Sequence, residues 1–429
     1  MADLQDELEA TAEAGALDTP PATTRTTTTT GRAGTGTTGT GTTGTKGKRK
    51  SSHRNPVAEP IADSSTDSFT DSSAEPPTDP FAEPSVEPSE AAEPMEVLEA
   101  AHAFLAMHPV ADGYSGLPWV LRHLPWYDLE LGEGAVDTDL PRMRKGHVGA
   151  LFWSLHLPEG LTGDRAVGAT LEQLDLVKTA VHAHPEGLRL TAGAGDTTDA
   201  RNCGRVAVLL GPAGAPALSD SLGILRSLHA LGLKVLTLVG ASWASEAGLT
   251  RFGEEVVREM NRLGVLADLS GASEPTIRRT LVVSRAPALC TRSAAGALRP
   301  HPANLPDDLL VALGETQGLC MVPLTAEQTG PSVHDVADHL DHVRALAGPE
   351  CVGLSGTYDS GAAHPQDLAD ASCYPNLIAE LLHRGWSPED LALLTWGNVQ
   401  RVLRNADFVA RAAQDRREAS TAKISELDG

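Results

Sequence analysis

The sequence predicts an α/β chain folded as a (β/α)₈ TIM-type barrel behind a long disordered N-terminal tail. Three observations carry this expectation. Residues 23–45 are almost only Thr and Gly, and 56–94 repeat a loose Glu-Pro-Ser theme. Neither stretch offers apolar residues at helix or strand spacing, so neither can offset the entropy of ordering. Beyond it, short apolar β-branched runs alternate with longer amphipathic ones, the pattern of parallel strands buried on both faces by helices. Eight such units in about 310 residues fit a closed barrel better than an open doubly wound sheet.

In chain order, a first strand is expected around 111–120, followed by strands at 148–155, 205–210, 234–239, 265–269, 286–291, 318–322 and 351–355. Each is a continuous apolar run. Helices are expected at 169–184, 219–231, 248–263, 273–283, 307–313, 332–346 and 375–384, where apolar residues recur at three and four positions. The chain thus divides into a low-complexity tail (1–94), a barrel (95–411) and a polar C-terminal stretch (412–429) expected to fray.

Charge and cysteine usage narrow the function classes. The formal net charge is −23 over 429 residues. Twelve acids and no Lys or Arg fall in residues 56–100, while 101–429 is only mildly acidic. No clustered positive charge marks a nucleic-acid footprint, and the basic run Lys46-Gly-Lys48-Arg49-Lys50 reads as a solvated linker. The five cysteines are widely spaced without a CxxC pair, which argues against a disulfide scaffold or a thiolate zinc site. No apolar run approaches the roughly 20 residues of a membrane span, and the acidic N-terminus is unlike a secretory signal. A cytoplasmic protein is expected, with no membrane or nucleic-acid partner. Ala-, Arg- and Gly-heavy usage suggests a high-GC bacterial source.

In a barrel the chemistry sits where strands end and loops begin. Those ends are Asp112-Gly-Tyr-Ser-Gly116, Gly211-Pro-Ala-Gly-Ala215, Val239-Gly-Ala-Ser242, Ser270-Gly-Ala272, Thr291-Arg-Ser293 and Ser355-Gly-Thr-Tyr-Asp359. They are small and neutral, with one arginine and one late aspartate, whereas a metal site needs converging imidazoles and carboxylates. His334, His339 and His342 lie on one expected helix among Asp335, Asp338 and Asp341, and read as a solvated, salt-bridged face. His182 and His184 suit a helix C-terminus. No phosphate loop, GxSxG elbow or HExxH is present. Ser242 and Ser245 read as caps of the next helix.

Several segments resemble the membrane (renal-type) dipeptidase family of binuclear-zinc hydrolases. They include Asp112-Gly-Tyr-Ser-Gly-Leu-Pro-Trp119, Val148-Gly-Ala-Leu-Phe-Trp-Ser154, Thr170-Leu-Glu-Gln-Leu-Asp-Leu176 and Phe252 through Gly264. Asp268-Leu-Ser270, Val283-Ser-Arg-Ala-Pro287, Asn304-Leu-Pro-Asp-Asp308, Asp335 through His342 and Gly397 through Leu403 continue the match, collinear over about 100–407. The resemblance implies a metallo-dependent hydrolase-like barrel, dipeptide hydrolysis by a hydroxide bridging two zinc ions, and dimers. It also implies that the machinery is degenerate here. Tyr114 and Gly116 stand at the His-x-Asp metal pair, Ala213 at the bridging glutamate, and Gly271 and Arg292 at the other two metal histidines. Gly240 replaces the histidine thought to stabilise the tetrahedral intermediate, Ala303 the substrate-binding arginine, and Thr357 the catalytic aspartate. Glycine and alanine offer no donor, and a guanidinium repels a dication.

The expectation is therefore a pseudoenzyme-like, non-catalytic binding or regulatory homologue that needs no zinc. Its partners are a second copy or an active paralogue, and its ligand a small peptide or carboxylate in a pocket of Arg292, Tyr114 and Asp359. In the simpler alternative Arg292 pairs internally with Asp359 and plugs the hole. Two further readings stay open: an active metallodipeptidase with a rewired site using His156, His301 or Asp359, and a scaffold working through its acidic tail.

Overall fold

The computed structural model describes residues 94–132, 134–158 and 160–429; the tail expected at 1–94 lies, but for its last residue, outside the described residues. Helix α1 (Pro94–Met107) leads into strand β1 (Val110–Ser115). The expected first strand ends early because Pro118 opens helix α2 (Leu117–His123), where its fixed φ and missing N–H are tolerated. After α3 (Leu140–Lys145) come β2 (Val148–Leu155), α4 (Gly163–Ala183), β3 (Leu188–Thr191), α5 (Ala194–Asn202), β4 (Val206–Gly214), α6 (Leu222–Ala230) and β5 (Val235–Thr237). A two-residue hairpin, β6 (Ala244–Ser245) and β7 (Gly248–Leu249), precedes α7 (Arg251–Leu263). The cap of α7 is Thr250, whose hydroxyl accepts from Gly253 N, rather than Ser242 or Ser245. Then follow β8 (Leu266–Asp268), α8 (Glu274–Val283), β9 (Leu289–Cys290), α9 (Asp307–Glu315), β10 (Leu319–Pro323), α10 (Val333–Ala347), β11 (Val352–Ser355), α11 (Tyr374–His383), α12 (Pro388–Ala392), α13 (Asn398–Gln414) and α14 (Ile424–Leu427).

Eight parallel strands close in the order β1-β2-β4-β5-β8-β9-β10-β11 and back to β1. The closed (β/α)₈ barrel is thus the observed fold. The unexpected β3 pairs with the first half of β4 while β5 takes its last two residues, so β3 lies outside the ring. Side chains alternate across each strand. Ala111, Ala150, Phe152, Ala207, Leu209, Leu289, Leu319 and Met321 form one buried cluster together with Trp396 and α13. Their sequence neighbours Val110, Leu151, Trp153, Val208, Cys290 and Cys320 pack with the surrounding helices. Period two thus sorts each strand into an inner and an outer face.

Helix α13 crosses the beginnings of the strands. Asn398 Nδ2 donates to Val352 O at 2.9 Å, Arg401 donates to the carbonyls of Gln317 and Gly318, and Asp407 takes Lys234 Nζ at 2.9 Å. This plug leaves the opposite mouth, where the strands end, for a site. The polar stretch expected to fray instead packs along α7. Asp428 accepts from Thr250 Oγ1 and Phe252 N, Arg226 donates to Ser420 O, and Ile424 and Leu427 pack against the core. Among the described residues no helix is long and apolar enough to cross a membrane.

Of the three histidines on α10, His339 is not on a solvated face. It is 2% exposed, its Nδ1 accepts from Ala295 N at 3.1 Å, and burial lowers its pKa to about 4. His342 and His334 do face acids, Asp307 and Glu380. The signal was available: His339 falls between Val336 and Val343 at helical spacing, inside the apolar stripe.

Candidate functional site at the barrel mouth

Two buried aspartates knit the strand ends. Asp112 in β1 accepts from Tyr114 N at 3.1 Å and Gly356 N at 2.7 Å. Its other oxygen and the Tyr374 hydroxyl are buried neighbours without a hydrogen bond of normal geometry. Burial pushes the Asp112 carboxyl up to about 6 against those two backbone donors. Asp268, at the end of β8, accepts from Thr237 Oγ1 and Ser270 Oγ at 2.7 Å and from Thr291 N at 2.9 Å. Ser270 Oγ in turn accepts the N–H of Arg292 at 2.9 Å, and Gln328 Nε2 donates to Arg292 O. The backbone of Arg292 is therefore clamped, and its side chain is aimed by the clamp.

A cavity of about 460 Å³ opens at this mouth, within the range of small-molecule sites. Three of the eight positions that the resemblance marks as changed line it: Tyr114, Gly240 and Arg292. The rest of the wall comes from the end of β2 and the segment after it, including His156, Leu157 and Leu161, from Pro212, Gly214 and Pro216 at and just after the end of β4, and from Thr237 and Val239. That segment carries no recognisable motif, which is why strand-end reading passed over it; its Glu159 lies outside the described residues. His156 packs edge-on against Trp119, ring centroids 5.3 Å apart.

The guanidinium of Arg292 sits over the ring of Tyr114, 4.1 Å from its centroid. Among the described residues its side chain has no ion pair and no hydrogen bond. Asp359 is not its partner and does not line the cavity, which corrects both the three-residue pocket and the internal-pair alternative. The Asp359 carboxylate accepts from Asp137 N at 2.8 Å and from the Thr138 hydroxyl, while Asp359 N donates to Asp137 Oδ2 at 3.0 Å. Burial pushes Asp359 up to about 7; those hydrogen bonds pull down, and the Asp137 charge pushes up further. The segment 137–138 carries no motif, so nothing in the sequence marked it as the partner.

The other five positions lie off the wall. Ala213 is fully buried in β4, beside Leu236 of β5. Gly116 donates to Tyr358 O at 2.8 Å and Thr357 N donates to Tyr114 O at 3.1 Å, sealing the β1–β11 seam. Gly271 has φ +73°, a left-handed conformation that favours glycine. Ala303 N donates to His301 Nδ1 at 3.1 Å, and His301 Nε2 faces Glu327 at 3.6 Å. Among the described residues no three His, Cys, Asp or Glu side chains are grouped so as to hold a metal ion. His156, His301 and Asp359 therefore form no such group.

The membrane dipeptidase family (peptidase family M19) matches residues 98–417. Mouse dipeptidase 3 is 39% identical over 334 residues, covering 72% of this chain and 67% of its own length. Human dipeptidase 3 is 39% identical over 332 residues with the same coverage, 72% and 67%. A crystal structure of a metallopeptidase from Rhodobacter sphaeroides, liganded with a phosphinate mimic of the dipeptide L-Ala-D-Ala, superposes with a TM-score of 0.65. At 24% identity, covering 70% of this chain and 99% of that one, it attests the fold. With a family match across nearly the whole barrel and relatives at 39% identity, the chain belongs to the membrane dipeptidase family.

Proposed function

We propose that this chain is a non-catalytic member of its family, in which the barrel mouth is a binding pocket and Arg292 is its anchor for a carboxylate. The observation that carries the reading is the guanidinium over Tyr114, without an ion pair or hydrogen bond among the described residues, at two positions that the resemblance assigns to metal ligands. The family's two zinc ions do not fit the residues present. Gly116, Ala213 and Gly271 have no donor, Arg292 repels a dication, and a phenol alone does not hold one. Space argues the same way. A Cβ placed on Gly116 would stand 2.2 Å from Asp359 O, so a longer side chain at that position has no room without moving the backbone opposite. Without metal or a placed base, no hydroxide nucleophile is generated at neutral pH.

The test is elemental analysis of the purified full-length chain together with a Gly-Leu hydrolysis assay, with and without added zinc. The expected result is substoichiometric zinc and no hydrolysis above background; two zinc equivalents with turnover overturns the reading. Pairing with a second copy or with an active family member belongs to the same proposal. Mass photometry and co-purification read it, and a lone monomer in both would remove it.

A further inference from the structure

The chemistry of the wall narrows the ligand, and this inference rests on the binding-pocket reading above. Arg292 supplies one cation, its guanidinium carbon 4.1 Å from the Tyr114 ring centroid and its N–H donors without a hydrogen bond among the described residues. That fork suits a carboxylate taken through two parallel hydrogen bonds. Much of the remaining wall is aliphatic: Leu157, Leu161 and Val239 line the cavity beside Ser154, His156, Thr162 and Thr237, and Val239 is 37% exposed. Among the described residues lining the cavity there is no Asp or Glu. Of the strand-end acids, Asp268 is taken by Thr237, Ser270 and Thr291 and Asp359 by Asp137 and Thr138, while Asp112 is fully buried, with one oxygen held by Tyr114 N and Gly356 N, and does not line the cavity.

A zwitterionic dipeptide brings an ammonium as well as a carboxylate. Here, among the described residues, that ammonium would meet no counter-charge beside the leucine side chains, a cost that grows steeply with burial. A small hydrophilic anion satisfies Arg292 but leaves the aliphatic wall wet. A monocarboxylate joined to an uncharged aliphatic body satisfies both. We infer that the pocket binds N-acylated amino acids, the class in which the amine of an amino acid has been blocked by an aliphatic acyl group, and discriminates against free dipeptides.

The experiment is isothermal titration calorimetry of the full-length chain with N-hexanoylglycine, Gly-Leu and N-hexanoylglycinamide. N-hexanoylglycine is expected to bind one to one, with Gly-Leu and the amide each at least about tenfold weaker, the scale of one charge-assisted contact. Arg292→Ala lowers the acylglycine affinity by about tenfold or more, and Leu161→Ser weakens it while leaving the requirement for a carboxylate. Glu159, between Pro158 and Gly160 in sequence, lies outside the described residues, so Glu159→Gln is included. Gly-Leu binding that matches N-hexanoylglycine and depends on Arg292 overturns the ligand class and leaves the pocket standing. Loss of that binding in Glu159→Gln would name the ammonium's partner. Acylglycine binding that ignores Arg292→Ala, or no binding of any probe, overturns the inference, while the zinc and hydrolysis measurements judge the non-catalytic reading separately.

Discussion

Asp359 bonds to Asp137 and not to Arg292: its carboxylate takes the Asp137 N–H at 2.8 Å, and its own N–H returns to the Asp137 carboxylate at 3.0 Å. This reciprocal pair, 222 residues apart in sequence, ties the 137–138 loop over the end of β11. Among the described residues it also leaves Arg292 on the cavity wall with the Tyr114 ring and no ion pair.

Burial of Asp359 makes stability depend on pH in a definite direction. Asp359 is raised from 3.8 to about 7, so the folded state holds its proton more tightly than the unfolded chain. That stabilisation is complete below about 4 and is lost as pH rises past about 7. Urea unfolding of wild type and Asp359→Asn at several pH values should show the wild type losing its relative advantage over this window. A difference that stays constant with pH would contradict the assignment.

His339 works with the opposite sign. Its folded pKa lies near 4, below the ordinary 6.5, so its contribution is present above about 6.5 and is lost as pH falls through about 4. His339→Gln should remove that acid-side slope. At neutral pH it should also cost about 1–3 kcal/mol, since the Ala295 N–H at 3.1 Å loses a well-placed buried acceptor. Thermal melts at pH 4.5 and 7.5 distinguish the two effects.

Gly116→Ala is expected to lower stability by about 1–3 kcal/mol, the usual range for overpacking. The new methyl meets Asp359 O at 2.2 Å and its carbonyl carbon at 2.8 Å, and backbone cannot swing aside as a flexible side chain does. Gly271→Ala is the contrast. No atom lies within 4 Å of its added Cβ, but φ is +73°, so only conformational strain of about 1 kcal/mol should appear. Chemical denaturation of both variants ranks them.

Asp428→Ala is expected to cost about 1 kcal/mol, in the range of lost helix caps. Asp428 satisfies Phe252 N at 3.0 Å and the Thr250 hydroxyl at the start of α7. Hydrogen exchange should rise in the first turn of α7 and in residues 416–429. Unchanged exchange there would show that the C-terminal segment is not held by this contact.

How much was legible follows from the range of the forces involved. Seven of the eight ring strands could be placed closely because a strand buried on both faces must be apolar along its length, as in Val148–Leu155. The first was overrun past Ser115, where Pro118 turns the chain into a helix. β3 escaped because its Leu-Arg-Leu-Thr is only four residues with a half-buried centre. His339 escaped because its acidic neighbours masked a position inside the apolar stripe. The C-terminal segment escaped because polar residues such as Ser420 and Asp428 are held by partners 161 and 176 residues away.

By itself the sequence determined the barrel, its family and the small neutral character of its strand ends, because hydrophobic period and residue type are local properties of the chain. Only the tertiary structure decided that Tyr114, Gly240 and Arg292 share one cavity, that Asp359 belongs to Asp137, and that Arg292 lies over the Tyr114 ring. Those facts depend on which loops meet above the closed ring. That meeting is set by packing across hundreds of residues, and no local pattern encodes it.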